Sequence, residues 1–388
     1  MPNFFKAENS QNEIKLKRRN VMQTRFNFVG EIVLPKKDGK RPLFKEMKKK
    51  VDKKTRNMVS LNFGVKESDT NMAFVEAFDG EQETIKTMNA DNEKINIDWA
   101  DRFDEDVVDK VAGYKKYTLD LGEDFGGRQE FISLYDFIKK AAELLPQYKG
   151  KVAVVGQMVK EFYKGTWYDK FKVQNIYAVD SERKSRLSIT ADVYYNKDCI
   201  DKVDFKEDKK IYLDGYIEQY FDKDTGTKYI PQRFVFSAEK YDLEGNERHK
   251  KLFDYKMKYI DVKNKNMVHI LWDCVLIRGA ETVEFTEDML TDSQREQIDL
   301  GIKTLDDFKP RRGVVGDKIN EIRLFDPVLG GEFADGLVDT ETKFNEFEED
   351  IYVPVKEEKI EDIEKSNNKK DDDKPPFDTN EVDDSDLF

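Results

Sequence analysis

The stretch from Lys151 to Tyr241 constrains this chain most. Lys151–Val159 reads Lys-Val-Ala-Val-Val-Gly-Gln-Met-Val, and Trp167–Gln174, Arg186–Tyr195, Lys210–Glu218 and Tyr229–Phe236 follow it. In nearly every piece apolar and polar residues alternate with period two, and β-branched and aromatic side chains are abundant. That is the pattern of half-buried strands. A glycine inside two of these strands predicts bending, and short bent strands in succession predict a small, strongly curved barrel.

A chain of 388 residues exceeds one ordinary core, so two domains with appendages are expected. Phe26–Leu34 is a strand with an internal glycine. Met58–Val65 and Met72–Phe78 alternate in the same way, and Asp79-Gly80 reads as a hairpin turn. Lys94–Trp99 and Tyr114–Leu121 add strands, with a short helix over Phe103–Val111 between them. Phe131–Leu145 has helical spacing and stops at Pro146, which predicts a connector packed between two barrels. Further on, His249–Val262 is apolar and Met267–Phe285 reads as a buried strand. Thr286 caps a helix reaching about Phe308, and Ile319–Phe325 is strand-like. The expected class is mainly β with a few helices. The expected order is a flexible basic arm (1–25), a first five-stranded barrel with a basic insertion (26–130) and a connecting helix (131–149). A second barrel with a helical extension (150–331) and a disordered acidic tail (332–388) complete it.

The formal net charge of −13 argues against a polyanion ligand until its distribution is read. From Glu332 onward there are 21 Asp/Glu and only 7 Lys/Arg, so the body before it is balanced at about +1. Within that body a run dense in base follows Pro35: Lys36, Lys37, Lys40, Arg41, Lys45, Lys48, Lys49, Lys50, Lys53, Lys54 and Arg56. Such a run is either a solvated loop or, between two barrel strands, a phosphate-contacting one. The N-terminal arm, with Lys15-Leu16-Lys17-Arg18-Arg19, is open to the same two readings.

Cys199 and Cys274 have no partner spacing, so neither a disulfide framework nor a zinc site is expected, and a reducing, cytoplasmic setting fits. Nowhere do about 18 apolar residues run together, and the N-terminus lacks an apolar leader segment. With two histidines, His249 and His269, most metal sites and histidine-dependent triads are out of reach. No phosphate loop or dinucleotide fingerprint occurs. Asp222–Gly226 imitates the start of a calcium loop without its later acid, and reads as a turn. No enzyme activity, metal or cofactor is expected.

What remains is aromatics interleaved with cations, the composition of a groove for single-stranded nucleic acid. The stacking candidates are Tyr163, Trp167, Tyr168, Tyr177, Tyr194, Tyr212, Tyr220 and Tyr229, of which alternation puts about half in a core. Trp167 and Tyr168 must face opposite ways, and Trp167, close to Lys164, is favoured. Arg183, Lys184, Arg186 and Arg233 are the phosphate candidates.

These residues carry a resemblance. Lys210–Glu218, the turn at Asp224-Thr225-Gly226 and Tyr229–Phe236 look like the late hairpin of OB-fold single-stranded DNA-binding proteins, and Val154–Val159 is similar to their first strand. The tail, ending Asp383-Asp384-Ser385-Asp386-Leu387-Phe388, resembles the acidic tip of bacterial and phage members. Size and lysine richness look most like a version from a phage of a low-GC Gram-positive host. The resemblance implies OB-like barrels that coat single-stranded DNA during replication, recombination and repair, and the chain departs from the short bacterial form in carrying two of them. It also implies a tip, Asp383, Asp384, Asp386, Leu387 and Phe388, that recruits a helicase, primase, polymerase or recombinase. Two barrels in one chain can replace part of a tetramer, so self-association stays open. The alternative is a phage structural or assembly protein with β domains.

Overall fold

The period-two pattern decides which face of each strand is core. In β1 (Arg25–Val33) Phe26 and Phe28 are buried while Arg25, Asn27 and Glu31 face outward. The computed structural model describes residues 24–36, 41–51, 54–203, 205–222, 224–263, 265–283, 286–309, 314–328, 338–339 and 350–354. After β1 come β2 (Phe44–Val51), β3 (Lys54–Ser68), β4 (Asn71–Gly80), β5 (Thr84–Met88) and β6 (Lys94–Asp98). Then follow β7 (Tyr117–Asp120), β8 (Arg128–Phe131), β9 (Lys151–Tyr163) and β10 (Thr166–Ala178). The second half holds β11 (Arg186–Tyr195), β12 (Ile200–Asp201), β13 (Lys210–Tyr220), β14 (Thr227–Ser237), β15 (Val268–Val283), β16 (Val314–Pro327) and β17 (Val338–Asp339).

The pairings close two rings. In the first, β1, β3 and β4 run antiparallel in succession, β4 pairs in parallel with β10, and β9 links β10 back to β1. In the second, β11, β13 and β14 run antiparallel, β14 pairs in parallel with β16, and β15 links β16 back to β11. Both rings place a helix between their third and fourth strands, Leu134–Leu144 in the first and Glu247–Ile260 in the second. Each parallel closure has a single register pair, Lys172 with Glu76 and Val235 with Arg323. These are partly open, five-stranded, OB-like barrels in a mainly β chain.

The expected division of strands between them needs correction. Lys151–Tyr163 and Thr166–Ala178, read as the opening of the second barrel, are the fourth and fifth strands of the first. The second barrel begins at Arg186 and takes its last two strands from β15 and β16. Alternation identifies a strand and its buried face but not its neighbour, so this could not be read locally. The helix Leu134–Leu144 likewise packs on β3 and β4 of the first barrel, burying Tyr135, Phe137, Ile138, Ala141 and Leu144, and does not lie between the barrels. Asp79 and Gly80 are not a hairpin turn. They pair with Val59 and Met58, and the Asp79 carboxylate accepts the Tyr135 N–H at 3.1 Å, capping that helix. The predicted helix from Thr286 to Phe308 is broken into a 3₁₀ turn at Glu287–Met289, a helix Asp292–Asp299 and a one-turn helix Leu305–Phe308. Capping boxes at Thr291 and Thr304 restart the helix, and Gly301, at φ +67°, stops it.

Within the segment 332–388, Val338–Asp339 pair with His269 and Val268, and Ile351 bridges to Tyr229. The tip residues Asp383 to Phe388 lie outside the described residues, as do the arm 1–23 and Lys37, Lys40 and Lys53.

One apolar core runs through both rings, from Phe26, Phe28, Phe63 and Phe171 to Tyr195, Phe234, Phe236 and Trp272. The rings are joined backbone to backbone. Arg25–Val29 pair with β9 on one side and with Thr190–Arg186 of β11 on the other. A second join sets Gly279 of β15 opposite Asn71 of β4. There the Asn71 side chain donates to the Leu276 carbonyl at 3.1 Å and accepts from the Arg278 N–H at 2.8 Å. Gly279 has φ +154°, and a Cβ on it would lie 1.9 Å from the Thr70 carbonyl oxygen. Gly279→Ala is therefore expected to lower stability by more than about 1 kcal/mol, read as a reduced urea midpoint at unchanged slope. An unchanged midpoint would show that the barrels do not depend on this join.

Candidate nucleic-acid interface

In a five-stranded barrel of this type the second and third strands, with the loops after the first and fourth, form the ligand face. Here those strands are β3 and β4 in the first barrel. Val59, Leu61, Phe63 and Val65 point inward from β3, and Ala73, Val75 and Ala77 from β4. The opposite parity sets Ser60, Asn62, Met72, Phe74, Glu76 and Phe78 on the outer face. Phe78 is 39% exposed. The loop after β1 is the basic run, and Phe44–Val51 of it form β2 on the free edge of β3. Lys45 lies opposite Ser60, Met47 opposite Met58, and Lys49 opposite Arg56, which extends the same face. Two cations directly across a strand pair repel, and a phosphate between them removes that penalty. Lys48 and Lys50 stand on the other side of the ribbon, and Lys54 is paired with Glu83.

The other flank is the β9–β10 hairpin, which extends past the barrel. Its outer parity carries Glu161, Tyr163, Tyr168, Lys170 and Lys172, with Lys170 ion-paired to Glu76 at 3.5 Å and Lys172 to Glu161 at 3.2 Å. Burial raises the Glu76 carboxyl above its ordinary value and lowers the Lys170 ammonium, against the attraction each exerts on the other. At the tip Lys164, in the left-handed region at φ +47°, holds its ammonium 5.4 Å from the Tyr163 ring. The opposite parity carries Lys160, Phe162, Trp167 and Asp169, turned toward the second barrel. Lys160 reaches Gln232 at 2.7 Å, and its backbone exchanges two hydrogen bonds with the Gln219 amide. Trp167 packs on Phe162 and on Tyr352. The favoured member of the Trp167/Tyr168 pair is thus the one facing away from the β3–β4 surface, and Tyr168 shares it.

The remaining candidates divide among other places. Tyr177 lies at the far end of β10 beside Asp120, and Arg183 and Lys184 are exposed in the loop leading to β11. Arg186 is bound to Asp273 at 2.9 Å with its guanidinium over Phe325. Lys36 is exposed and Arg41 half-buried at the start of the basic loop. On the second barrel Tyr212, Tyr216 and Tyr220 share the outer face of β13, and Arg233 makes a bidentate pair with Asp214 beside Tyr212. Tyr194 does not offer a stacking face. It is 6% exposed, lies flat on His269 at 4.8 Å, and donates to Glu218 at 3.1 Å. Tyr229 packs edge-on against it, and Asp192 holds the His269 ring through Nδ1 at 2.9 Å. These groups form one enclosed polar network.

Sequence reading passed over Phe74 and Phe78. The signal was present: β4 alternates small apolar residues (Ala73, Val75, Ala77) with large ones, and either set fits a core until a tightly curved barrel selects the small.

Burial raises the Glu218 carboxyl above 4.5, outweighing the hydrogen bonds from Tyr229 and Tyr194 that favour its charge. The folded state therefore holds this proton more tightly than the unfolded state, and its contribution is lost as pH rises through the raised value. Glu218→Gln keeps an acceptor and removes the titration. The stability of the variant relative to the parent is expected to climb as pH rises from about 4.5 toward neutrality. Urea midpoints measured from pH 4 to 8 check this; a constant difference across that range would refute it.

No family model matches the chain, and no curated protein matches it. Among solved structures it is similar to a deletion mutant of the single-stranded DNA binding protein from Thermus aquaticus. The match has 7% identity over 70% of this chain and 98% of that one, with a TM-score of 0.26.

Proposed function

We propose that this chain binds single-stranded DNA across the outer face of the first barrel, coating and protecting it. The observation that supports this best is the face itself. Phe74, Phe78 and Tyr168 lie on one sheet surface, flanked at one end by Lys45, Lys49 and Arg56 and at the other by Tyr163 and Lys164. Bases stack on the rings, the cations follow the phosphates, and neither contact selects sequence. A duplex hides its base faces and gains nothing from the rings. The second barrel, where Tyr194 is buried and Arg233 is held by Asp214, extends the footprint less strongly.

The finer reading is a phage protein of replication, recombination and repair, working in the cytoplasm of the host without catalysis. Among the described residues no helix is long and apolar enough to cross a membrane. In this reading the terminal Asp383, Asp384, Asp386, Leu387 and Phe388 dock into a basic-rimmed apolar pocket on a replication or recombination enzyme.

Titration of labelled oligo-dT against a duplex of equal length, over a range of salt, tests the reading. Tight, salt-dependent binding of the single strand with weak duplex competition is expected. Phe78→Ala should weaken it by about 1–3 kcal/mol, roughly 5- to 150-fold. Lys49→Gln with Arg56→Gln should flatten the slope of log K against log salt by about 1.4. No binding at low salt would sink the proposal and leave a structural or assembly role for the β domains.

A further inference from the structure

The acidic segment returns to the body at Asp350–Pro354, between the two barrels. Its backbone makes two hydrogen bonds to Tyr229: Tyr229 N–H to the Asp350 carbonyl and Tyr352 N–H to the Tyr229 carbonyl, both 2.9 Å. The Asp350 carboxylate lies 3.3 Å from the Lys228 ammonium. The Tyr352 ring stacks on Phe221 of the second barrel, with centroids 4.6 Å apart and planes at 15°. It meets Trp167 of the first barrel edge-on at 5.3 Å, and Trp167 is backed by Phe162 at 5.1 Å. The segment thus sets an anionic oxygen on a lysine and, two residues on, a flat ring on a flat ring. That is the arrangement of a phosphate and its base.

We propose that the Trp167–Phe221 cleft is a nucleotide subsite spanning the two barrels, which Asp350–Tyr352 occupies as a nucleotide mimic in the free chain. The inference rests on the single-stranded DNA reading and adds a place on the strand's path. A strand leaving the β3–β4 face around the tip of the β9–β10 hairpin enters the cleft on the hairpin's other side. One base replaces Tyr352 on Phe221, and its phosphate replaces the Asp350 carboxylate on Lys228. Because the occupant is part of the same chain, apparent affinity is reduced by the fraction of molecules in which the cleft is open.

Full-length Tyr352→Ala and Asp350→Asn, each alone and combined with Trp167→Ala, are titrated with oligo-dT alongside Phe78→Ala. Tyr352→Ala is expected to tighten binding about 5- to 10-fold, as for a cleft open in about a tenth to a fifth of molecules. Asp350→Asn should tighten it less, and Trp167→Ala should abolish both gains. Oligo-dT bound by the parent, weakened by Phe78→Ala and unchanged by both tail variants would overturn the subsite while leaving the DNA reading intact. A gain that survives Trp167→Ala would also overturn it. Failure of every form to bind would remove the DNA reading, and the subsite with it.

Discussion

The rest of the structure depends on β1 being shared. Its first half, Arg25–Val29, is hydrogen-bonded along both edges, to β9 of its own barrel and to β11 of the next, and only Glu31–Val33 remain for β3. A strand with both edges occupied cannot rotate away from either neighbour without breaking a ladder, and buried backbone groups released in that way have no water to replace them. The Asn71 clamp on β15 and the Lys160–Gln219–Gln232 contact add second and third points of attachment. Three attachments out of line fix orientation as well as distance. The two barrels behave as one body with a continuous core.

That fusion explains the division of labour on the β9–β10 hairpin. The hairpin is longer than closing the first barrel requires, and past the barrel rim its inward residues no longer meet a core. Instead they meet the second barrel, so Lys160, Phe162, Trp167 and Asp169 become interface while Tyr163, Tyr168, Lys170 and Lys172 continue the outer surface. Period two thus creates two aromatic surfaces from one hairpin. Charge separates in a similar way. Cations concentrate on β2 and the hairpin of the first barrel, whereas on the second Tyr194 is held by Asp192 and Glu218 and Arg233 by Asp214. Electrostatic attraction for a polyanion is consequently strongest on one side of the molecule.

Much of this was legible in the sequence. Alternation located most strands to within a few residues, and glycines such as Gly156 marked places where a side chain would strike a neighbouring backbone. The exchange of strands between barrels was not legible. Hairpin partners are close in sequence, but ring closure joins Glu76 to Lys172 and Val235 to Arg323. Nothing local at either residue encodes its partner. Local parity was legible where the strand is regular: Trp167 and Tyr168 diverge, as alternation requires. Candidates decided by what covers the sheet were not. Tyr194 has the same alternating context as Tyr212, yet His269, Met267 and Tyr229 close over it. The acidic segment reads as rich in acid with sparse apolar residues, so composition hides Ile351 and Tyr352, whose partners lie more than a hundred residues away.

The segment at Asp350–Pro354 is held by weak contacts only. Two backbone hydrogen bonds contribute about 1 kcal/mol each. Two aromatic contacts add about 0.5–1.5 kcal/mol apiece, and the half-exposed Lys228–Asp350 pair adds less than about 1 kcal/mol. Each of these is small, so Tyr352 stays on Phe221 without being locked there. A continuous ladder at this position would fix the segment, as β14 and β13 fix each other over eleven pairs. Here the ladder is a single bridge, because the chain after Ile351 turns its ring into the cleft instead of following β14. A contact this weak is retained because it is intramolecular, and any ligand offering a better ring and a stronger anion can take its place.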